Sequence, residues 1–198
     1  MIAGLLLASG ASRRFGSNKL VALLGGRAVA RWSAEALTAA VDETWVVVPA
    51  HDVAIRAALA GLPVRWVENS DAQEGMASSI RAGVAALPID ADAVAITLAD
   101  QPLIDAEVIR RVVATWRRAP APHGAVAAMY EDGRGHPVLF GASLFPALRA
   151  LDGDRGARAL LTSLGDAVTL VDVAGAQPAD VDTPEALAEQ ARRLGRTR

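Results

Sequence analysis

The sequence predicts an α/β protein in which helices cover both faces of a mostly parallel sheet. Short apolar segments alternate along the chain with longer segments whose apolar residues recur at helical spacing. Several of the short segments are continuously apolar, as strands buried on both faces are. Repetition of strand and helix patterns is typical of a parallel sheet.

Seven strands and seven helices are predicted in order along the chain. The predicted strands are 2–8, 44–48, 64–67, 93–99, 125–129, 136–140 and 168–173. The predicted helices are 28–41, 54–60, 76–87, 106–117, 144–151, 157–164 and 184–194. The segment 124–140 is an exception, because residues 131–135 join two strand patterns and leave no room for a helix. It predicts a hairpin or a small antiparallel excursion.

Composition narrows the class of protein. A chain of 198 residues is most simply one domain, 1–198, and its 52% hydrophobic but only 4% aromatic composition predicts a core of Ala, Val and Leu. A net charge of -2 gives no reason to expect a nucleic-acid partner, and the absence of cysteine excludes disulfides and thiolate zinc sites. The first apolar segment is shorter than the roughly 20 residues of a membrane span and lacks a basic flank. We therefore expect a cytoplasmic protein without a membrane partner.

The loop after the first predicted strand is a candidate anion site. It reads Ser9 to Lys19, SGASRRFGSNK, with glycines that allow tight turns and three cations. A P-loop needs Lys directly after its second Gly, whereas Lys19 comes three residues after Gly16. The dinucleotide pattern G-x-G-x-x-G is also absent. An ordinary strand–helix connection with surface arginines is the alternative.

Two acidic segments are candidate metal ligands. Asp100 follows an apolar strand and precedes Gln101 and Pro102, which places it on the same rim as the loop, although an Asp in a simple turn would look the same. Thr183 and Pro184 form a good helix start, but that explanation does not require Asp182. Two separate carboxylates suffice for Mg²⁺.

Three further segments are candidates for contacts with substrate. Residues 69–81, NSDAQEGMASSIR, place Gly75 and small hydroxyl residues at a helix start, where a base edge could bind, unless the segment only caps the helix. His136 lies between Gly135 and Pro137 in a predicted strand, and a lone histidine is more often structural. Arg155 and Arg158 lie at a helix start, where cations oppose the helix dipole unless an anion is near, with surface solvation as the alternative.

Six segments in this order resemble the MobA-like nucleotidyltransferase family, and most of all its molybdenum cofactor cytidylyltransferase branch. The first is similar to the family signature L-A-x-G-x-S-x-R-x-G with a following lysine, although Ser9 and Phe15 replace the usual Ala or Gly and Met. The others are NSDAQEGMASSIRAGV, ADQP, GRGHPVLF, GDRGAR and DVDTPE. The likeness spans roughly residues 2 to 190.

The resemblance implies a Rossmann-like three-layer α/β/α fold of the nucleotide-diphospho-sugar transferase type. It also implies a Mg²⁺-dependent reaction of CTP with molybdopterin that releases pyrophosphate, with a molybdenum hydroxylase as possible recipient of the product. The residues carried over fall into four groups. They are the catalytic Arg14, Lys19 and Asp100; the nucleotide-binding Leu7, Ala8, Ser9, Gly10, Ala11, Ser12, Arg13, Lys19, Asn69, Gly75, Ser79 and Asp100; the acceptor-binding Gly135, His136, Pro137, Arg155 and Arg158; and the metal ligands Asp100 and Asp182, the latter preferred to Asp180.

Three alternatives remain at this stage. The guanylyltransferase branch commonly reads L-A-G-G where this chain has Leu7 to Gly10, LASG, which favours CTP over GTP. A sugar- or polyol-phosphate nucleotidyltransferase would share the loop and Asp100. A non-catalytic chaperone for the cofactor would not need both a metal ligand and Lys19.

Overall fold

The computed structural model describes residues 1–10, 15–16, 18–118, 124–153 and 156–196. A seven-stranded sheet has the order β5-β4-β1-β6-β8-β7-β9. Its strands are β1 Ile2–Leu7, β4 Glu43–Pro49, β5 Val64–Asn69, β6 Ala93–Leu98, β7 Ala125–Tyr130, β8 Gly133–Gly141 and β9 Val168–Asp172. All neighbouring pairs are parallel except the two that involve β8. The mostly parallel sheet with one antiparallel excursion is therefore confirmed.

The helices lie where the sequence predicts them, within a few residues at each end. They are α1 Val29–Thr38, α2 Ala54–Ala58, α3 Met76–Ala85, α4 Ala106–Arg118, α5 Phe145–Arg149, α6 Arg158–Leu164 and α7 Pro184–Arg196. Short 3-10 turns cover Lys19–Val21, Ala72–Glu74, Ala142–Leu144 and Gly165–Ala167. Sequence patterns did not predict the small hairpin of β2 Leu23–Leu24 and β3 Arg27–Ala28. No helix in the described part of the chain is long and apolar enough to cross a membrane.

The core consists of two apolar layers, one on each face of the sheet. Alternate residues of β1 divide between them, so that Ile2 and Leu6 join one layer and Leu5 and Leu7 the other. Residues of α1, α2 and α4 complete the first layer, and residues of α3, α5 and α6 complete the second. This arrangement confirms the three-layer α/β/α architecture, and Ala, Val and Leu dominate both layers as composition predicts.

The β7–β8 hairpin is tighter than the sequence predicts. Strand β8 begins at Gly133, not at His136, so that only Glu131 and Asp132 separate it from β7. Its register with β7 shifts between Ala127 and Ala128, which pair with Val138 and Gly135. His136 and Pro137, joined by a cis peptide bond, are the extra residues on β8 at this irregularity. His136 therefore lies within a strand instead of opening one.

Candidate active site

Hydrogen bonds near the carboxyl ends of β4, β1 and β6 align these three strands. The amide of Ala8 donates to the Val47 carbonyl at 2.8 Å, and the amide of Ala99 donates to the Leu7 carbonyl at 3.1 Å. Ligands of open parallel sheets bind beyond this edge. The loop after β1 and the turn after β6 are thus adjacent, as predicted.

The predicted nucleotide-binding residues at the end of β1 differ in exposure. Leu7 and Ala8 are buried, and the hydroxyl of the buried Ser9 donates to the Val47 carbonyl at 3.2 Å. Gly10 is exposed. Of these four residues, Gly10 is the one whose surface faces solvent. Ala11, Ser12, Arg13 and Arg14 lie outside the described residues.

Lys19 brings the two predicted metal ligands together. Its Nζ lies 2.6 Å from Asp100 Oδ2 and 2.7 Å from Asp182 Oδ1, although the two aspartates are 81 and 163 positions away in sequence. Lys19 is only 6% exposed, whereas both carboxylates are partly accessible. The preceding Asn18 fixes the backbone here, because its side chain accepts a hydrogen bond from the Leu20 amide at 3.1 Å.

Electrostatics keep this lysine charged. Burial alone would lower the pKa of Lys19, but the charges and hydrogen bonds of Asp100 and Asp182 outweigh burial and raise the pKa above its ordinary value. The short distances are those of charge-assisted hydrogen bonds. At neutral pH the cluster is therefore an ammonium held between two carboxylates.

Two hydrogen bonds join the turn that carries Asp100 to the segment that carries Asp182. The amide of Val181 donates to the Asp100 carbonyl at 2.8 Å. Gln101 Nε2 donates to Asp180 Oδ1 at 2.9 Å. Val181 is fully buried, so the link is anchored in the core. Asp182 thus contacts Lys19, whereas Asp180 contacts Gln101.

A buried serine holds the Asp100 turn from the other side. Ser33 of α1 is fully buried and donates to the Gln101 carbonyl at 3.0 Å, with the Ala99 carbonyl at 3.4 Å. Sequence patterns missed Ser33 because it stands at a buried position of the helix between Ala30 and Leu37, where an apolar residue is expected. Gln101 belongs to the ADQP segment, but no sequence pattern pairs it with Ser33 or with Asp180.

Asp180 is exposed as a residue, but the surroundings of its carboxyl group disfavour the charged form. Its pKa is raised by desolvation first and then by the charge of Asp100, with the Gln101 hydrogen bond opposing the rise. The charge of Asp182 acts in the same direction as that of Asp100. Three carboxylates therefore crowd this rim, which favours binding of a cation.

The predicted base-binding segment forms a buried polar cluster at the end of β5. Asn69 Nδ2 donates to Ser78 Oγ at 2.9 Å and to Ser79 Oγ at 3.1 Å, and Asn69 Oδ1 accepts from the Asp71 amide at 3.0 Å. All three side chains of the cluster are nearly inaccessible. Gly75, at φ 94°, lets the chain turn sharply into α3. This cluster therefore ties the end of β5 to the first turn of α3.

Of the predicted acceptor residues, His136 lies within electrostatic range of Asp100 and Arg158. Burial lowers the pKa of His136 to about 4, while the charge of Asp100 opposes and that of Arg158 adds to this shift. His136 is therefore neutral at pH 7, within electrostatic reach of both groups. Gly135 and Pro137 are buried, Arg158 is exposed as the first residue of α6, and Arg155 lies outside the described residues.

The donor set at Lys19 fits a hard divalent cation. Carboxylate oxygens are what Mg²⁺ and Mn²⁺ prefer, and Mg²⁺ needs only one or two of them beside substrate phosphates. The carboxylates of Asp100 and Asp182 already converge on one positive charge, the ammonium of Lys19. Within the described ranges no group of three or more His, Asp or Glu residues could hold a metal by itself. A cation here would thus complete its coordination with ligand oxygens.

Comparison with known proteins identifies the family. Residues 4–168 match the model of the MobA-like NTP transferase domain. The chain belongs to this family. It is a nucleotidyltransferase, as the sequence predicts, and its fold is of the nucleotide-diphospho-sugar transferase type.

Relatives of this MobA-like nucleotidyltransferase have several activities. Purine catabolism protein PucB of Bacillus subtilis (strain 168) is 32% identical in an alignment of 195 residues, and the match covers 92% of this chain and 92% of PucB. Molybdenum cofactor guanylyltransferase of Cereibacter sphaeroides is 34% identical over 151 residues, 75% of this chain and 71% of its own. Rv0371c of Mycobacterium tuberculosis H37Rv superposes with a TM-score of 0.83 at 29% identity, over 98% and 96% of the two chains. A further structure of Rv0371c is a complex with manganese, with a TM-score of 0.79 at 27% identity over 96% and 98%.

Proposed function

We propose that this nucleotidyltransferase uses Mg²⁺ and CTP to transfer CMP to the terminal phosphate of molybdopterin-type cofactor, with release of pyrophosphate. The observation that carries the proposal is the convergence of Asp100 and Asp182 on Lys19 at the carboxyl edge of the sheet. A cofactor chaperone that performs no chemistry has no need of two carboxylates and a buried ammonium at one point.

The reaction is an in-line displacement at phosphorus. A phosphate oxygen of the acceptor forms a bond to the α-phosphorus of CTP, and the bond from that phosphorus to the bridging oxygen breaks. The electron pair leaves with pyrophosphate. Because the nucleophile is already an anion, the reaction needs alignment and charge neutralisation more than a general base.

The residues divide this work according to their place on the rim. Asp100 and Asp182 would hold the divalent cation, and the manganese complex of Rv0371c supports a metal in this family. When bound, Mg²⁺ would neutralise triphosphate oxygens and stabilise the departing pyrophosphate. Lys19, and Arg14 from the preceding loop, would bind the β- and γ-phosphates. Asn69 and Ser79 shape the wall beside the base.

The acceptor would bind on the β8 side of the cleft. Neutral His136 can both donate and accept a hydrogen bond, which suits a polar heterocycle better than a charged imidazolium would. Arg158, together with Arg155, supplies positive charge for the acceptor phosphate. A molybdenum hydroxylase that receives the dinucleotide cofactor is the proposed partner.

The choice of CTP depends on the loop after β1. Ser9 stands where the guanylyltransferase branch commonly has glycine. Its hydroxyl donates a hydrogen bond to the Val47 carbonyl of β4. GTP is the second candidate nucleotide, because a molybdenum cofactor guanylyltransferase is among the relatives.

A nucleotide screen tests the proposal. Purified protein with Mg²⁺ and molybdenum cofactor is mixed with each nucleoside triphosphate, and pyrophosphate is measured. We expect release with CTP and its loss, by at least about 10³-fold, in Asp100→Ala, since removal of a transition-state charge clamp typically costs that much. Asp90→Ala, which removes an exposed aspartate, is the matched control.

Each part of the proposal can fail separately. Release with GTP alone would transfer the protein to the guanylyl branch. Release with sugar phosphates but not with molybdenum cofactor would replace the acceptor. Full activity of a folded Asp100→Ala protein would refute the assignment of the metal.

A further inference from the structure

The ammonium of Lys19 occupies the point at which the proposed metal would be bound. It lies 2.6 Å and 2.7 Å from oxygens of the two proposed ligands. The side chain is 6–7% exposed, so that Lys19 is the least accessible of the three charged groups. A divalent cation bound to both oxygens would meet this positive charge at contact distance.

The choice of lysine at this position is specific. Among the 20 lysine and arginine residues of the chain, Lys19 is the only lysine. An ammonium is a compact point charge that fits between two carboxylates and can be exchanged for a small ion, whereas a guanidinium is a planar fork that forms fixed bidentate pairs. A chain that otherwise uses arginine throughout therefore has, between these two carboxylates, its one compact cation without a fixed bidentate geometry.

We propose that Lys19 is an internal cation that closes the metal site until a metal–nucleotide complex arrives. This inference rests on the proposed function, because it takes Asp100 and Asp182 as the metal ligands. In the ligand-free protein the ammonium neutralises the carboxylates. The triphosphate then draws it away and gives it new anionic partners, and the carboxylates become free for the metal.

Electrostatics explain why the metal alone is a poor competitor. Displacing Lys19 without a phosphate to receive it would leave a nearly inaccessible ammonium without the two carboxylates that stabilise it. Keeping Lys19 in place would instead set a divalent charge beside a positive charge. Nucleotide removes both penalties. Metal and nucleotide consequently strengthen each other's binding, and this coupling is reciprocal.

We call this closure of the metal site by Lys19 the gate. Binding of Mn²⁺ to the protein without nucleotide tests it directly. Electron paramagnetic resonance measures the free Mn²⁺ in titrations of the wild type, Lys19→Met and Arg110→Met. Arg110→Met is the control, because it removes a cation from the exposed pair with Glu107. We expect Lys19→Met to bind Mn²⁺ at least about tenfold more tightly than wild type, because one unit of opposing charge is gone. Arg110→Met should match the wild type. Equal affinity of Lys19→Met and wild type would overturn the gate.

A double variant separates this result from failure of the proposed function. Lys19→Met/Asp100→Asn should lose the gain in Mn²⁺ affinity, because one of the two ligands is then neutral. If the double variant instead keeps the full affinity of Lys19→Met, the carboxylate pair is not the metal site, and both the gate and the metal assignment are refuted.

The single lysine also permits a test without substitution. Labelling with [ζ-¹⁵N]lysine gives one side-chain signal, from Lys19, in a nuclear magnetic resonance spectrum. We expect Mg²⁺ alone, at the concentration used for catalysis, to leave this signal unchanged and CTP with Mg²⁺ to shift it. A shift with Mg²⁺ alone to the position seen with CTP would overturn the gate, since the metal would then release Lys19 unaided.

Discussion

The partly buried His136 makes the stability of this protein depend on pH in the weakly acidic range. Burial lowers the pKa of His136 from 6.5 to about 4 in the folded chain, with the charge of Asp100 opposing the shift. Below pH 6.5 the unfolded chain binds a proton at this position, whereas the folded chain does not until pH approaches 4. The free energy of unfolding therefore falls as pH falls through this window.

The magnitude follows from the width of that window. Each pH unit in which only the unfolded chain carries the proton costs about 1.4 kcal/mol. Between pH 6.5 and pH 5 the loss due to His136 is thus about 2 kcal/mol, and it is nearly absent above pH 7. Urea unfolding at pH 7 and pH 5 measures it for wild type and His136→Gln, which cannot be protonated. The wild type should lose about 2 kcal/mol more than the variant.

A control separates this histidine from the others. His51→Gln removes an exposed imidazole on a turn, and we expect it to lose as much stability between pH 7 and pH 5 as the wild type. If His136→Gln also loses as much as the wild type, then His136 is not kept neutral by burial. The proposed contact of an uncharged imidazole with the acceptor would then lose its basis.

Three further predictions concern contacts around the site. Gly135→Ala would place a Cβ 2.8 Å from Gln177 Cδ, so we expect the free energy of unfolding measured in urea to fall by about 1–3 kcal/mol. Gln177→Ala should partly restore this stability in the double variant. Simple additivity of the two losses would refute this contact. Gln101→Met removes the donor to Asp180 and should cost about 1–3 kcal/mol by the same measurement. Asp180→Asn keeps an acceptor for Gln101 but removes a carboxyl group whose pKa is raised by folding. We therefore expect it to stabilise the protein at pH 7, and a destabilised Asp180→Asn would contradict this view.

Most of the fold could be predicted because its signals are local. Apolar continuity identified β1 and β6, and helical spacing identified α4, since burial on one or both faces leaves a pattern along the chain itself. The start of β8 was misplaced because Gly133 to Gly135 have little strand propensity, and pairing with β7 imposes the strand. The β2–β3 hairpin was missed because each of its strands has only two residues.

The sequence by itself determined the family, the alternation of strands and helices, and the segments that carry Lys19, Asp100 and Asp182. Tertiary structure alone decided that these three side chains meet at one point, that Gln101 engages Asp180, and that Ser33 holds the turn between them. The physical reason is that local patterns record which residues are buried, whereas contacts across 81 or 163 positions exist only after the sheet has aligned the ends of its strands.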